Sequence, residues 1–247
     1  MTSDRTSDRT TDGTPVLPVA LVGMGKMGRA IDALAIERRC EVVARLGADE
    51  MDSMTREALG GARVAIEFTR PEAALSNART LLALGCPIVV GTTGWTAHLA
   101  DLEAAVRETG TPALWAPNFS VGVQLFLAFA EDAARRLREV DGFDTHVVET
   151  HHTAKKDAPS GTGIAIAERL AAGLGHQVPV SSVRVGSVPG THEVIFDAPF
   201  EQIKLVHEAR DRRVFADGAL TAARWLSRQT TPALYTMRDV LRATPST

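Results

Sequence analysis

Short apolar runs alternate with longer stretches of helical periodicity through the first half of the chain. Val19-Ala20-Leu21-Val22 leads into the glycine cluster Gly23-Met24-Gly25-Lys26-Met27-Gly28, and an alanine-rich stretch from Arg29 to Ile36 follows. That order predicts a strand, a tight turn and a helix. Further strands are predicted at Glu41 to Leu46, Val64 to Phe68, Pro87 to Val90 and Ala113 to Trp115. The last three run into Thr69-Arg70-Pro71, Gly91-Thr92-Thr93-Gly94 and Ala116-Pro117-Asn118-Phe119. Strands separated by helical patterns imply a parallel sheet flanked by helices, and such sheets bind ligands beyond the carboxyl ends of their strands.

The pattern changes after Asn118. Ser120 to Arg138 reads as an amphipathic helix, Thr145 to Glu149 as a strand, and Gly163 to Gly173 as a helix. Ser182 to Val188, His192 to Asp197 and Gln202 to Ala209 carry the period-two alternation of strands, and Phe215 to Ser227 returns to an alanine-rich helix. The second region is therefore expected to be α+β, with a broad sheet available for substrate binding and subunit contact.

Composition narrows the classes. A chain of 247 residues, 45% of them hydrophobic, can build one large or two modest domains. A net charge of −3 gives no global reason to expect nucleic-acid binding. Cys40 and Cys86 sit in apolar context without zinc or disulfide spacing, so no structural metal is expected and a reducing cytoplasm fits best. The first 18 residues carry a Ser-Asp-Arg-Thr doublet at Ser3 to Thr6 and Ser7 to Thr10, and read as a disordered tail and not a signal peptide. No apolar run is long enough to cross a membrane.

Two stretches carry chemistry. In the glycine cluster, Gly23 permits the tight turn, Gly25 lets a pyrophosphate approach the backbone, and Gly28 allows close packing of helix on strand. No acid stands at the tip of the second predicted strand. Asp49 is placed to reach a ribose hydroxyl, whereas Arg45 or Lys26 is placed to pair with a 2′-phosphate, so NADH and NADPH both stay open. The other stretch runs from Glu149 through His151, His152, Lys155, Lys156 and Asp157 to Ser160-Gly161-Thr162. Imidazoles titrate near neutrality, lysines carry fixed positive charge, and Ser-Gly-Thr opens a helix whose first amides can hold a carboxylate. Together they describe a site for an anionic substrate that needs a proton. Lys156 is read as a bystander. His98, His146, His176, His192 and His207 are read as structural or surface residues, although His207 lies in a strand able to reach the cleft.

These motifs carry a family resemblance. E-T-H-H-T-A-K-K-D-A-P-S-G-T, supported in order by G-M-G-K-M-G, E-F-T-R-P, G-T-T-G, A-P-N-F-S-V-G-V and F-A-D-G-A, resembles 4-hydroxy-tetrahydrodipicolinate reductases, also called dihydrodipicolinate reductases, from about Val19 to Leu241. The resemblance implies an α/β fold: a Rossmann-type dinucleotide-binding domain over 19–118 and 213–247, and an α+β substrate-binding and tetramerisation domain with a mixed sheet over 119–212. It implies reduction, with NADH or NADPH, of a small dicarboxylate on the diaminopimelate route to lysine, by a cytoplasmic homotetramer that needs neither nucleic acid, membrane nor metal. By position, His151 matches the family's acid/base histidine and Lys155 its proton-donor lysine. His152, Ser160, Gly161 and Thr162 match its substrate-binding residues. Gly23, Met24, Gly25, Lys26, Met27, Gly28, Gly91, Thr92, Thr93, Ala116, Pro117, Asn118 and Phe119 match its cofactor contacts. The glycine turn is one residue tighter than the family's usual form, which bears on the adenosine end of the cofactor. Two other readings of the residues are another two-domain dehydrogenase of small anionic substrates and a non-catalytic NAD(P)H sensor.

Overall fold

The computed structural model describes residues 16–47 and 54–242. Asp49 and the Ser-Asp-Arg-Thr doublet lie outside these described residues. The chain divides at Phe119/Ser120 and again at Val214/Phe215 into two compact units, the first of them discontinuous in sequence.

The first unit begins with β1 (Leu17–Val22), two residues earlier than the apolar pattern marks, so Leu17 and Pro18 belong to a strand and not to a tail. There follow α1 (Lys26–Leu34), β2 (Cys40–Leu46), β3 (Val64–Glu67), α2 (Pro71–Ala83), β4 (Ile88–Val90), α3 (Leu99–Thr109) and β5 (Ala113–Trp115). Helix α1 starts inside the glycine cluster at Lys26, earlier than the alanine pattern indicates. The expectation of a parallel sheet holds: β1 pairs with β2 and β3, β3 with β4, and β4 with β5, all parallel. Strands β3 and β4 are buried at every position, which is why they read, up to the closing Glu67 of β3, as apolar runs with no alternation. Cys40 and Cys86 are buried free thiols, and burial pushes each up to about 11, leaving them protonated and unreactive.

The second unit holds α4 (Val121–Leu137), β6 (Asp144–His151), α5 (Gly161–Leu174), β7 (Val180–Arg184), β8 (Thr191–Ala198) and β9 (Glu201–Glu208). Its sheet runs β7-β6-β8-β9, with β7 parallel to β6 and the other pairs antiparallel, so the sheet is mixed as expected. The predicted strand from Ser182 to Val188 is corrected to Val180–Arg184. Its partner β6 ends at His151, paired with Arg184, and beyond that point no ladder supports a strand. Val147, Val194 and Phe196 on one face pack with Phe126 and Ala130 of α4 and Ile166 and Leu170 of α5. The side chains of Glu149, His151 and His192 share that face, because strand side chains alternate with period two.

The chain then returns to the first unit through α6 (Arg213–Leu226), β10 (Leu234–Tyr235) and α7 (Met237–Arg242). Strand β10 extends the first sheet to six strands in the order β10-β5-β4-β3-β1-β2. Among the described residues, no helix is long and apolar enough to cross a membrane.

Candidate active site

The first unit gathers the expected cofactor residues at one edge of its sheet. Gly23 follows β1, Gly91-Thr92-Thr93 follows β4 and Ala116 to Phe119 follows β5, so all three loops leave the carboxyl ends of parallel strands. Gly23 has φ +93, and a Cβ there would lie 2.2 Å from the Phe68 carbonyl oxygen. At Gly28 a Cβ would lie 2.1 Å from the carbonyl oxygen of Gly23, so the turn closes only without side chains at both positions. Gly25 differs, because a Cβ there meets nothing within 4 Å. It caps α1 in extended conformation with no side-chain capping bond, and the first turn of α1 holds no acid. An exposed helix N-terminus with an open glycine in front of it is a fit for a pyrophosphate, since the first amides and the helix dipole both favour an anion. Lys26 is exposed there, and Met24 and Met27 are half-buried.

Beneath these loops sits a buried carboxylate that the sequence reading passed over. Glu67 is fully buried at the end of β3. Its Oε1 accepts from the Thr69 amide at 3.1 Å, from the Thr69 hydroxyl, and from Asn77 Nδ2 at 3.5 Å. Thr92 Oγ1 also accepts from the Thr69 amide, at 2.8 Å, and Glu67's own carbonyl accepts from Gly91 N at 2.9 Å. Burial raises the Glu67 carboxyl above its ordinary range in spite of these bonds. Its role is to tie the Thr69 and Gly91 loops together. At the tip of β2, Arg45 donates to both carboxylate oxygens of Asp32, at 2.8 and 2.6 Å, so a 2′-phosphate would compete with Asp32 for that guanidinium.

The second unit assembles the histidine cluster around Glu149. His151 ends β6 and is buried, His152 and Lys155 are half-buried, and Lys156 is exposed. Lys155 Nζ donates to both oxygens of Asp157, at 2.8 and 2.9 Å. Ser160 caps α5 by accepting from Gly163 N at 3.0 Å. The Ser160 amide is spent on Glu149, at 2.9 and 3.0 Å to its two oxygens, and its hydroxyl donates to the same carboxylate. Ser160 is thus a structural part of the turn, whereas Gly161 is exposed with open space where a Cβ would be. Gly163 is required at its position, since a Cβ would lie 2.6 Å from Glu149 Oε2.

Glu149 also accepts from Ser182 Oγ and from Arg184 Nη2, each at 2.8 Å. Burial alone would raise its carboxyl, but the bonds from Ser160, Arg184 and Ser182 outweigh it and hold the group at about 2. The carboxylate faces two histidines, 3.9 Å from His151 Nδ1 and 3.8 Å from His192 Nε2. The two rings meet edge to face at 5.1 Å.

His192, read from the sequence as a structural or surface residue, is buried beside the site. It is 4% exposed and stands opposite Glu149 in the β6–β8 ladder. Burial first, then repulsion from His151, push its imidazole down to about 4, and burial likewise lowers His151 while Glu149 opposes the shift. Glu149, His151 and His192 offer ligand atoms within 4.8 Å of one another. Both oxygens of Glu149 are already taken by donors, one of them a guanidinium whose charge opposes a second cation, so this chemistry suits a proton and not a metal. His207, across from His192 on β9, packs on Phe126 with ring centroids 6.1 Å apart.

A parallel sheet with an anion-ready helix start, and a second unit carrying histidines and a lysine beside another helix start, define an oxidoreductase that uses a nicotinamide dinucleotide. Comparison with known proteins makes the class particular. Residues 17–119 match the family model described as dihydrodipicolinate reductase, N-terminus, and residues 122–241 match dihydrodipicolinate reductase, C-terminus. The chain is 35% identical to a 4-hydroxy-tetrahydrodipicolinate reductase of Thiobacillus denitrificans, covering 90% of this chain and 97% of the relative. It is 36% identical to the enzyme of that name from Rubrobacter xylanophilus, covering 90% and 96%. Among solved structures, dipicolinate-bound dihydrodipicolinate reductase from Paenisporosarcina sp. TG-14 shares the fold with a TM-score of 0.77 at 22% identity, covering 90% of this chain and 97% of that one. The chain belongs to the dihydrodipicolinate reductase family.

Proposed function

We propose that this protein reduces 4-hydroxy-tetrahydrodipicolinate to tetrahydrodipicolinate with NADH or NADPH, as a cytoplasmic homotetramer. The observation that carries this reading is the meeting, between the end of β6 and the start of α5, of a buried imidazole, a lysine and the serine-capped N-terminus of a helix. A small dicarboxylate suits those groups, and dipicolinate, bound to the solved relative, is one.

The reaction consumes one NAD(P)H and one proton and releases NAD(P)⁺ and water. The nicotinamide supplies the hydride. Gly25 and the first turn of α1 would hold the pyrophosphate, and the loops at Gly91 to Thr93 and Ala116 to Phe119 would complete the cofactor site. Lys155, held against Asp157, pairs with a substrate carboxylate together with His152 and the amides at Gly161 and Thr162. Loss of water from the 4-hydroxy substrate first gives dihydrodipicolinate, whose ring C=C is conjugated with its C=N; the hydride adds to one carbon of that C=C, and His151 supplies the proton to the other. An imidazole suits this step because its ordinary value lies near the working pH, and two carboxylates alongside raise it.

The homotetramer has support in the second unit's sheet. Both of its helices pack on one face, while the other face carries exposed Val183 and Val206 with half-buried Val148 and Ile195. Phe200, in the turn joining β8 to β9, is fully exposed. Apolar surface of this kind is typical of subunit contacts.

The test is oxidation of NADH and NADPH by the purified protein, with substrate generated in situ by a synthase from pyruvate and aspartate semialdehyde. Oxidation that depends on the synthase supports the reading, and its absence with cofactor binding intact overturns it. His151→Gln is expected to lower kcat by at least about a hundredfold with cofactor affinity unchanged. Lys155→Met is expected to act mainly on KM.

A further inference from the structure

Three charged or titratable residues that the mechanism above leaves without a role stand beside His151. Parallel pairing of β6 with β7 sets Arg184 against His151 and Ser182 against Glu149, and antiparallel pairing with β8 sets His192 against Glu149. All of these side chains share one face of the sheet. Glu149 has no exposed surface, and its four donors come from α5's capping residue and from β7. Its remaining neighbours are the two imidazoles, whose Nδ1 atoms are both buried without a hydrogen-bond partner.

Resting on the assignment of His151 as proton donor, we propose that Glu149 is a positioning residue for this reaction. It ties the substrate turn at the start of α5 to the sheet, and its single charge lets the His151–His192 pair carry one proton at a time, which an arriving dicarboxylate places on His151.

The electrostatic surroundings account for the limit of one proton. Arg184 from β7, Lys155 from the loop after β6 and His207 from β9 disfavour added positive charge, while Glu149 and Asp157 favour it. Arg184 largely offsets Glu149, so one imidazolium can be accommodated, whereas a second, 5.1 Å from the first, would face direct repulsion. His151 runs directly into His152 and the substrate loop, whereas His192 Nε2 is turned to the buried Ser160 Oγ at 3.4 Å, so two incoming carboxylates act on His151 before they act on His192. The pair titrates as a unit, and the bound anion selects the site.

Imidazole NMR on ¹³C-histidine-labelled wild-type protein tests this, with His151→Gln and His192→Gln assigning the signals and pyridine-2,6-dicarboxylate as the probe. Neither buried ring should be protonated at pH 7 in the free protein. The probe should protonate His151 alone, moving its midpoint up by about one unit or more. Two rings that protonate together would overturn the proposal. Glu149→Gln, with urea unfolding followed by circular dichroism as a check on folding, should raise KM and move the alkaline limb of kcat/KM to lower pH by about a unit, because removing the anion lowers the His151 midpoint. Glu149→Asp, which keeps the charge, should restore the limb in part. If Glu149→Gln keeps the wild-type limb and KM while His151→Gln is inactive, Glu149 has no such role. If His151→Gln itself turns over normally, the underlying assignment of the proton donor fails instead.

Discussion

Replacing His192 with Gln should make the second unit markedly less sensitive to acid. The wild-type imidazole is displaced from its ordinary 6.5 down to about 4 by burial and by the neighbouring His151. A folded-state value below the unfolded one means that the contribution to stability is fully present above 6.5 and is lost as pH falls towards 4. At pH 5 the unfolded chain protonates this histidine almost completely and the folded chain hardly at all, which costs about 2 kcal/mol relative to pH 7. Glu149, held at about 2 against an ordinary 4.5, loses its contribution only below pH 4.5 and leaves this window nearly untouched. His151 and His207 are lowered in the same direction and remain in the variant, so some acid sensitivity persists. Urea unfolding followed by far-UV circular dichroism at pH 7 and pH 5 gives the difference for each protein. All three tryptophans, Trp95, Trp115 and Trp225, belong to the first unit, so fluorescence reports that unit separately. Wild type should lose about 2 kcal/mol more than His192→Gln between the two pH values. Equal losses would refute the view that His192 is held neutral by its buried setting.

Further outcomes follow from particular contacts. Gly25→Val, placed where a Cβ meets nothing, should leave the melting temperature within a few degrees of wild type and abolish NAD(P)H binding in a fluorescence titration; retained binding would move the pyrophosphate elsewhere. Gly163→Ala should destabilise the protein by about 1–3 kcal/mol and raise KM, since its Cβ would press on Glu149 at 2.6 Å; an unchanged denaturation midpoint would contradict that packing. Phe196→Ala, in a fully buried position of the second core, should cost about 3–5 kcal/mol in chemical denaturation. Asp32→Ala releases Arg45 from its bidentate partner and should improve NADPH affinity relative to NADH by several-fold, read from the two dissociation constants.

Much of this site was legible in local sequence because its parts are local devices. The glycine turn needs a positive φ at Gly23 and no side chain at Gly28, and those demands select glycine at fixed spacing. Ser160 announces the start of α5 because its hydroxyl caps Gly163 three residues on. His151 and Lys155 stood out because they lie within five residues of each other. Glu149 opened the same motif, yet nothing local showed that its carboxylate would be buried. Arg184 and His192 lie 35 and 43 residues from Glu149, in segments whose alternation marks them as strands without marking their partners. Glu67 was hidden at the end of an apolar run, where its purpose depends on Thr69, Asn77 and Thr92.

The sequence by itself marked most of the strands and helices, the two helix starts suited to an anion and the family, because each depends on residues within about one turn or one loop of each other; the two-residue β10 and the short α7 went unmarked. Only the tertiary structure decided the ladder register. A shift of one residue between β6 and β8 would turn His192 to the opposite face and leave Glu149 with a single histidine, and neither strand taken alone fixes that register. The burial of the core on one face of the sheet fixes it, through Val147 and Val194 of the two strands packed against α4 and α5.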